Sequence, residues 1–204
     1  MALENSLAAF RAAVDNPASP VDGVELDVHS TADGRIVVHH DPALPGLGLI
    51  GDLTLSQLRG HLLPDGSALP FLEEALEVLG SLRVYVEAKG LAAEADAELL
   101  RVLRSGPNPA GYQVHSFDHR VIARLQAEAD DFRFGVLSSS WPVDPVSPVW
   151  AAGAEVLWQH WSLVDFELME RCRDRSIDVI AWTVPTEQVE RMAELGVAGV
   201  CVDL

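Results

Sequence analysis

Apolar positions return along this chain in two rhythms. Short β-branched runs with period two, as in strands, are separated by stretches in which apolar residues recur every three or four positions, as on one face of a helix. The opening stretch ENSLAAFRAAVD has the second rhythm, with Leu3, Leu7, Phe10 and Val14 on one stripe. Strand VDGVELDV, turn TADG and strand RIVVHH follow, and Asp33-Gly34 between the strands is a hairpin signal. LTLSQLRGHL and LPFLEEALEVLG read as helices, the second with Pro70 near its start and Gly80 as a stop. Then come strand RVYVEAK, helix AAEADAELLRVLRSG, strand YQVHSF, helix DHRVIARLQAEA and strand FRFGVLS. A proline-rich connection, WPVDPVSPV, leads to a short helix from Ser147-Pro148. Strand EVLWQHW, helix DFELMERCRDRS, strand DVIAWTV, helix TEQVERMAELG and strand GVCVD close the chain.

Strand and helix in regular succession, with no linker or low-complexity segment, predict a single α/β domain over residues 1–204 with a parallel sheet. Apart from the hairpin extension RIVVHH there are seven principal strands, one short of a (β/α)8 barrel, and the chain opens on a helix. A doubly wound open sheet is the alternative, although no glycine-rich phosphate fingerprint follows any strand.

Charge and composition narrow the partners. With 204 residues, 49% of them hydrophobic, the chain is long enough for one sizeable core. No apolar run has the length of a bilayer span and no export signal opens the sequence, so the expectation is a cytoplasmic protein without stable membrane insertion. A formal charge of −17 and the lack of a Lys/Arg cluster exclude nucleic acid as a partner. An anionic substrate must then meet a local positive centre. Cys172 and Cys201 lack C-x-x-C spacing and are expected to be small buried hydrophobes. Of 14 basic residues one alone is lysine, Lys89 in RVYVEAKG, a compact titratable charge in an arginine-rich chain.

Two strands carry charge where a strand core is normally apolar. Glu25, Asp27 and His29 share one face of VELDVHS, while Val24, Leu26 and Val28 share the other. In RVYVEAK, Tyr85, Glu87 and Lys89 share a face opposite Val84, Val86 and Ala88. Parallel sheets are covered on both sides, so these charges must be paired, cation-bound or in a cleft. In a barrel, inward residues at the carboxyl ends of strands line the active-site mouth. Glu25, Asp27 and Glu87 offer the oxygen ligands of a hard cation, Mg²⁺ or Ca²⁺. The blander reading is a structural ion-pair cluster with Lys89, and His29 keeps zinc open as a less favoured ion. His40, before the turn signal Asp41-Pro42, is placed at the end of strand RIVVHH, where an imidazole can exchange a proton near neutral pH. His61, His119 and His160 are read as structural.

ENSLAAF, GVELDVHSTADGRIVVHHDP, DLTLSQL, LPFLEEALEVL, VYVEAKG, HSFD, AWTV and GVAGVCVD occur in the order found in the glycerophosphodiester phosphodiesterase family, which this chain resembles over nearly its whole length. E-L-D, H-D-P and E-x-K at these separations are together specific. The resemblance implies a TIM (β/α)8-type barrel and cleavage of a small-molecule glycerophosphodiester to glycerol 3-phosphate and an alcohol with a divalent cation. It further implies metal ligation by Glu25, Asp27 and Glu87, acid-base work by His40, phosphate contact by Lys89, Glu4 near the metal and Trp182 in the substrate pocket.

One departure concerns the start. The family has a strand ending in H-R-G before its P-E-N-T motif, whereas this sequence begins three residues before Glu4 and has Leu3 in place of the proline. DPALPGLGL also lacks the usual arginine after H-D-P. The expectation is an artificially short chain with an incomplete barrel that lacks its first strand, retains metal binding and has impaired diesterase activity. His29 and His115 are candidates to replace the family's other histidine, with no basis for assigning either. The rival readings are a noncatalytic phosphodiester-binding barrel and a lysophospholipase D-like diesterase with an apolar rim at SSSWPVDPVSPVW, bearing Trp141 and Trp150. A homodimer in which two chains cover each other's open edges is left open.

Overall fold

Ser6 sets the start of the first helix. Its hydroxyl accepts the backbone N–H of Ala9 at 3.2 Å and donates to the Leu3 carbonyl at 2.6 Å, so the helix begins at Leu7. Leu3 therefore lies before the helix, and Val14 at its far end is 45% exposed; of the expected stripe, Phe10 alone is fully in the core. The computed structural model describes residues 2–16 and 21–203, in two compact units, Met1–Gln113 and Val114–Leu204.

The first unit contains α1 (Leu7–Val14), β1 (Gly23–Ser30), β2 (Ile36–Val38), β3 (Ala43–Leu44), β4 (Gly48–Leu49), α2 (Leu55–Leu58), α3 (Leu72–Leu79), β5 (Arg83–Gly90) and α4 (Asp96–Ser105). Its sheet has the order β2-β1-β5, antiparallel at the Asp33-Gly34 hairpin and parallel between β1 and β5. Gly34 supplies the positive φ of 77° that the hairpin turn needs. The apolar alternation holds: Leu26, Val28, Val84, Val86 and Ala88 are all completely buried.

Two sequence expectations need correction here. LTLSQLRGHL forms a helix of only four residues, because Gly60 turns the chain with φ 86° and Leu62 then pairs with Ala68 in a bridge. A small separate core of Val37, Leu44, Ile50, Leu53, Leu58, Leu63 and Leu69 holds this region together. Strand RIVVHH ends at Val38, two residues early, because the backbone must turn at Pro42, which has no N–H to extend a ladder.

The strand Tyr112–Ser116 (β6) is the one in which the two units divide. The second unit continues with α5 (His119–Glu128), β7 (Arg133–Ser138), α6 (Ser147–Ala151), β8 (Val156–His160), α7 (Phe166–Arg173), β9 (Asp178–Trp182), α8 (Val189–Leu195) and β10 (Gly199–Val200). Strands β7, β8, β9 and β10 pair in sequence order, all parallel, with a helix in each connection. Where these strands begin, Arg133 binds Glu155 at 3.0 Å and Asp178 at 2.8 Å, tying their amino ends together. Cys172 is buried as expected, but Cys201 is only half-buried, and the last strand is two residues long.

Candidate active site

In the parallel register Asp27 lies opposite Glu87, and Glu25 two residues earlier lies opposite Tyr85. The register then slips by one between Val28 and His29, so His29 faces Gly90 and Lys89 is the extra residue of a bulge. A bulge re-aims its side chain. Lys89 Nζ sits 3.4 Å from Asp27 Oδ1 and 3.3 Å from Glu87 Oε1, shared between two carboxylates that are 6% and 9% exposed as residues. The slip is fixed by packing: a Cβ on Gly90 would lie 2.6 Å from His29 Nδ1, so only glycine fits beneath that ring.

Glu25 completes the acidic group. Its Oε1 is shut off from solvent, and one of its oxygens lies within 4.8 Å of an oxygen of Glu87. Burial, then the neighbouring charge of Asp27, pushes its pKa up to about 8, against the opposing pull of Lys89 and His40. Lys89 is pulled down by burial but raised on balance by Asp27 and Glu87, so it stays an ammonium. A carboxyl held this far above its ordinary range is one that burial, and next the charge of Asp27, keep from ionising until a further positive charge is brought beside it. Paired buried carboxylate oxygens beside it are the donor set of a hard divalent ion. On both counts the residues fit a cation.

Asp27 is held by a residue that the sequence reading passed over. Asn5 donates from Nδ2 to Asp27 Oδ2 at 2.8 Å, and its Oδ1 accepts the Asp27 backbone N–H at 3.1 Å. Asn5 has φ 55°, a left-handed conformation that asparagine tolerates better than most residues. Glu4 beside it is exposed, yet its charge is among those raising Glu25.

His40 lies outside the strand where it was expected, on the turn after β2, with its side chain 52% exposed. Its Nδ1 is 2.9 Å from Asp41 Oδ1, and its carbonyl accepts a hydrogen bond from His29 Nε2 at 3.2 Å. His29 is depressed by burial below the usual histidine range, which keeps it neutral at pH 7. Glu25 of β1 thus lies near the carboxylate of Glu87, Asp27 meets Asn5 and Lys89, and His29 meets the backbone of His40.

In the second unit Trp182 ends β9. Its Nε1 donates to the Trp158 carbonyl at 3.1 Å, and Phe117 and His160 approach it at right angles, at 5.4 and 5.2 Å between ring centres. His160, read as structural, therefore belongs to an aromatic cluster at the strand ends. His115 is buried and stacked on Trp158 at 4.0 Å. In the loop read as a candidate apolar rim, Trp150 is 56% exposed and has the guanidinium of Arg175 over its ring at 4.1 Å, in the connection that leads into the amino end of β9. No helix among the described residues is long and apolar enough to cross a membrane.

Solved structures share this architecture. An Oleispira antarctica phosphodiesterase in complex with the product sn-glycerol-3-phosphate matches with a TM-score of 0.85 over 98% of this chain and 87% of that one, at 23% identity. A glycerophosphodiester phosphodiesterase from Thermotoga maritima matches with a TM-score of 0.76 over 98% and 88%, at 24% identity. The fold is therefore of the TIM (β/α)8 type, incomplete in these residues, with an acidic cluster and a lysine on two neighbouring strands of the first unit.

The chain belongs to the glycerophosphoryl diester phosphodiesterase family, whose model matches residues 1–204. Among curated relatives, a glycerophosphodiester phosphodiesterase of Caldanaerobacter subterraneus subsp. tengcongensis is 28% identical over 98% of this chain and 88% of its own length. Human glycerophosphodiester phosphodiesterase 1 is 30% identical over 88% of this chain, which spans only 57% of that protein.

Proposed function

We propose that residues 1–204 act as one domain that hydrolyses glycerophosphodiesters to glycerol 3-phosphate and an alcohol in a reaction dependent on Mg²⁺ or Ca²⁺. The observation that carries this reading is the buried Glu25 carboxyl, raised to about 8, beside the Glu87 carboxylate and the Lys89 ammonium. Family membership and the product-bound Oleispira relative support the substrate class.

Glu25, Asp27 and Glu87 would hold the cation, which supplies positive charge to the nonbridging phosphate oxygens when bound. Lys89 adds a second positive contact for the phosphate from the protein itself. In the net reaction water adds to phosphorus, the P–O bond to the alcohol breaks, and one proton passes from water to the departing alkoxide. We assign this transfer to His40: when Asp41 accepts the Nδ1–H, the lone pair on Nε2 is left free as the base. On the family resemblance, Glu4 would lie near the cation and Trp182 would contact the organic part of the substrate.

Proton transfer by one positioned group contributes about 10² to 10⁴ in rate, and His40 is half-exposed with an exposed partner in Asp41, so turnover by residues 1–204 is expected to be slow. The test is release of glycerol phosphate from glycerophosphocholine in Mg²⁺, Ca²⁺ or chelator. Slow release that needs a cation and disappears in Glu87→Gln is expected; release of the same rate in chelator overturns the proposal.

A further inference from the structure

We propose that Asn5 is a positioning residue for the carboxylate site, fixing Asp27 so that Lys89 stays shared between Asp27 and Glu87; this rests on the cation-site reading above. The evidence is the two-point contact that one side-chain amide makes with Asp27. Asn5 sits at φ 55°, one residue before the cap, in the turn over Glu4 and Asn5 that leads into helix α1. Capping is the work of Ser6, whose hydroxyl holds both Ala9 and Leu3.

What the left-handed conformation achieves is to aim both ends of one amide at a single residue 22 positions later. Nδ2 binds the Asp27 carboxylate at Oδ2, and Oδ1 binds the Asp27 backbone N–H. A planar amide that grips backbone and side chain of the same residue fixes where the carboxylate points. Its other oxygen, Oδ1, is then left at 3.4 Å from Lys89, no closer than the 3.3 Å from Lys89 to Glu87. Without the amide, the buried Oδ2 has lost a donor, and a buried carboxylate in that position turns toward the nearest cation. Lys89 would be drawn onto Asp27 and away from Glu87. The spacing of the acidic oxygens, and with it the cation site, would change although Asn5 touches neither cation nor substrate.

The experiment is calorimetric titration of the whole chain with Mg²⁺ and with Ca²⁺, with thermal unfolding measured alongside, for wild type, Asn5→Gly, Asn5→Ala, Ser6→Ala, Asp27→Asn and the double variant Asn5→Gly/Asp27→Asn. Glycine removes the amide and relaxes the backbone, while alanine removes the amide and keeps the strain. Both are expected to weaken cation binding by about tenfold, in the range found for residues that orient metal ligands, while differing in Tm. Ser6→Ala is expected to lower Tm with affinity within about twofold of wild type, since it loosens the helix alone. If Asn5 acts through Asp27, its removal costs less than about a further twofold once Asp27 is asparagine. Raising the cation concentration should restore turnover in Asn5→Gly.

Cation affinity of both Asn5 variants near wild type, with Asp27→Asn impaired, overturns the positioning role and leaves the proposed function standing. So does a full additional loss in the double variant. A wild-type chain that binds neither cation, indistinguishable from Asp27→Asn, overturns both.

Discussion

His29 donates from Nε2 to the carbonyl oxygen of His40 at 3.2 Å, joining the last inward residue of β1 to the turn that carries the candidate base. His29 is buried and neutral, so it can act only as a fixed donor, with its other nitrogen packed over Gly90. Replacing it by alanine removes both the donor and the ring. His29→Ala is expected to lose on the order of 1–3 kcal/mol of stability and to speed amide exchange at His40 and Asp41, read by thermal unfolding and hydrogen exchange. Unchanged exchange in that turn means that His29 does not hold it.

The same contact gives a non-additive pair. A methyl group on Gly90 would stand 2.6 Å from His29 Nδ1, so Gly90→Ala forces the ring out, and a cost of about 1–3 kcal/mol is expected. In His29→Ala the ring is gone and the methyl group has space. The double variant should therefore be no less stable than His29→Ala by more than about 0.5 kcal/mol, measured by urea denaturation. Additive losses would show that Gly90 is required for its backbone instead.

These contacts explain where the sequence was legible. The two-residue alternation in VELDVHS and RVYVEAK was readable because both faces of a parallel pair are buried, so a polar residue every second position stands out. Their register was not readable. The slip that turns Lys89 toward Asp27 and Glu87 depends on a glycine lying under a histidine 61 positions earlier, a contact that no periodicity records. Asn5 was hidden for a related reason: in ENSLAAF it looks like the lead-in to a helix, and its function appears only when its amide meets Asp27. His40 was placed on a strand because VVHH is β-like, whereas the break was set by Pro42 two residues beyond it.

Glu25 and His29 give opposite pH slopes. The folded pKa of Glu25, about 8, lies above its ordinary 4.5, so between those values the folded state binds the extra proton and stability falls as pH rises. His29 is lowered from 6.5, so below 6.5 the unfolded state binds the extra proton and stability falls as pH drops. Denaturation in chelator at pH 5 and pH 8.5 should show the Glu25 slope, on the order of 3 kcal/mol across that window, and Glu25→Gln should abolish it. Added Ca²⁺ should stabilise the wild type most at the alkaline end, where the carboxyl is ionised. A slope that survives in Glu25→Gln assigns it to another group.

Lys89 is the last case, because it separates an ion-pair cluster from a cation site. Its ammonium already neutralises part of the charge of Asp27 and Glu87, at 3.4 and 3.3 Å, so it competes with any divalent ion for the same oxygens. Lys89→Gln removes the competitor and leaves Glu25, Asp27 and Glu87 in place. Cation affinity is then expected to rise severalfold while hydrolysis falls by about 10² or more, because the phosphate has lost a fixed positive contact that acts in a partly dehydrated site. Lys89→Arg is expected to recover little, since a planar guanidinium cannot occupy the point that a compact ammonium shares between two carboxylates. Calorimetry of Mg²⁺ and Ca²⁺ binding beside a glycerol phosphate assay reads both effects. Were Lys89→Gln to bind cations more weakly than wild type, the lysine would be a structural part of the cluster, and its carboxylates would be its partners and not a metal site.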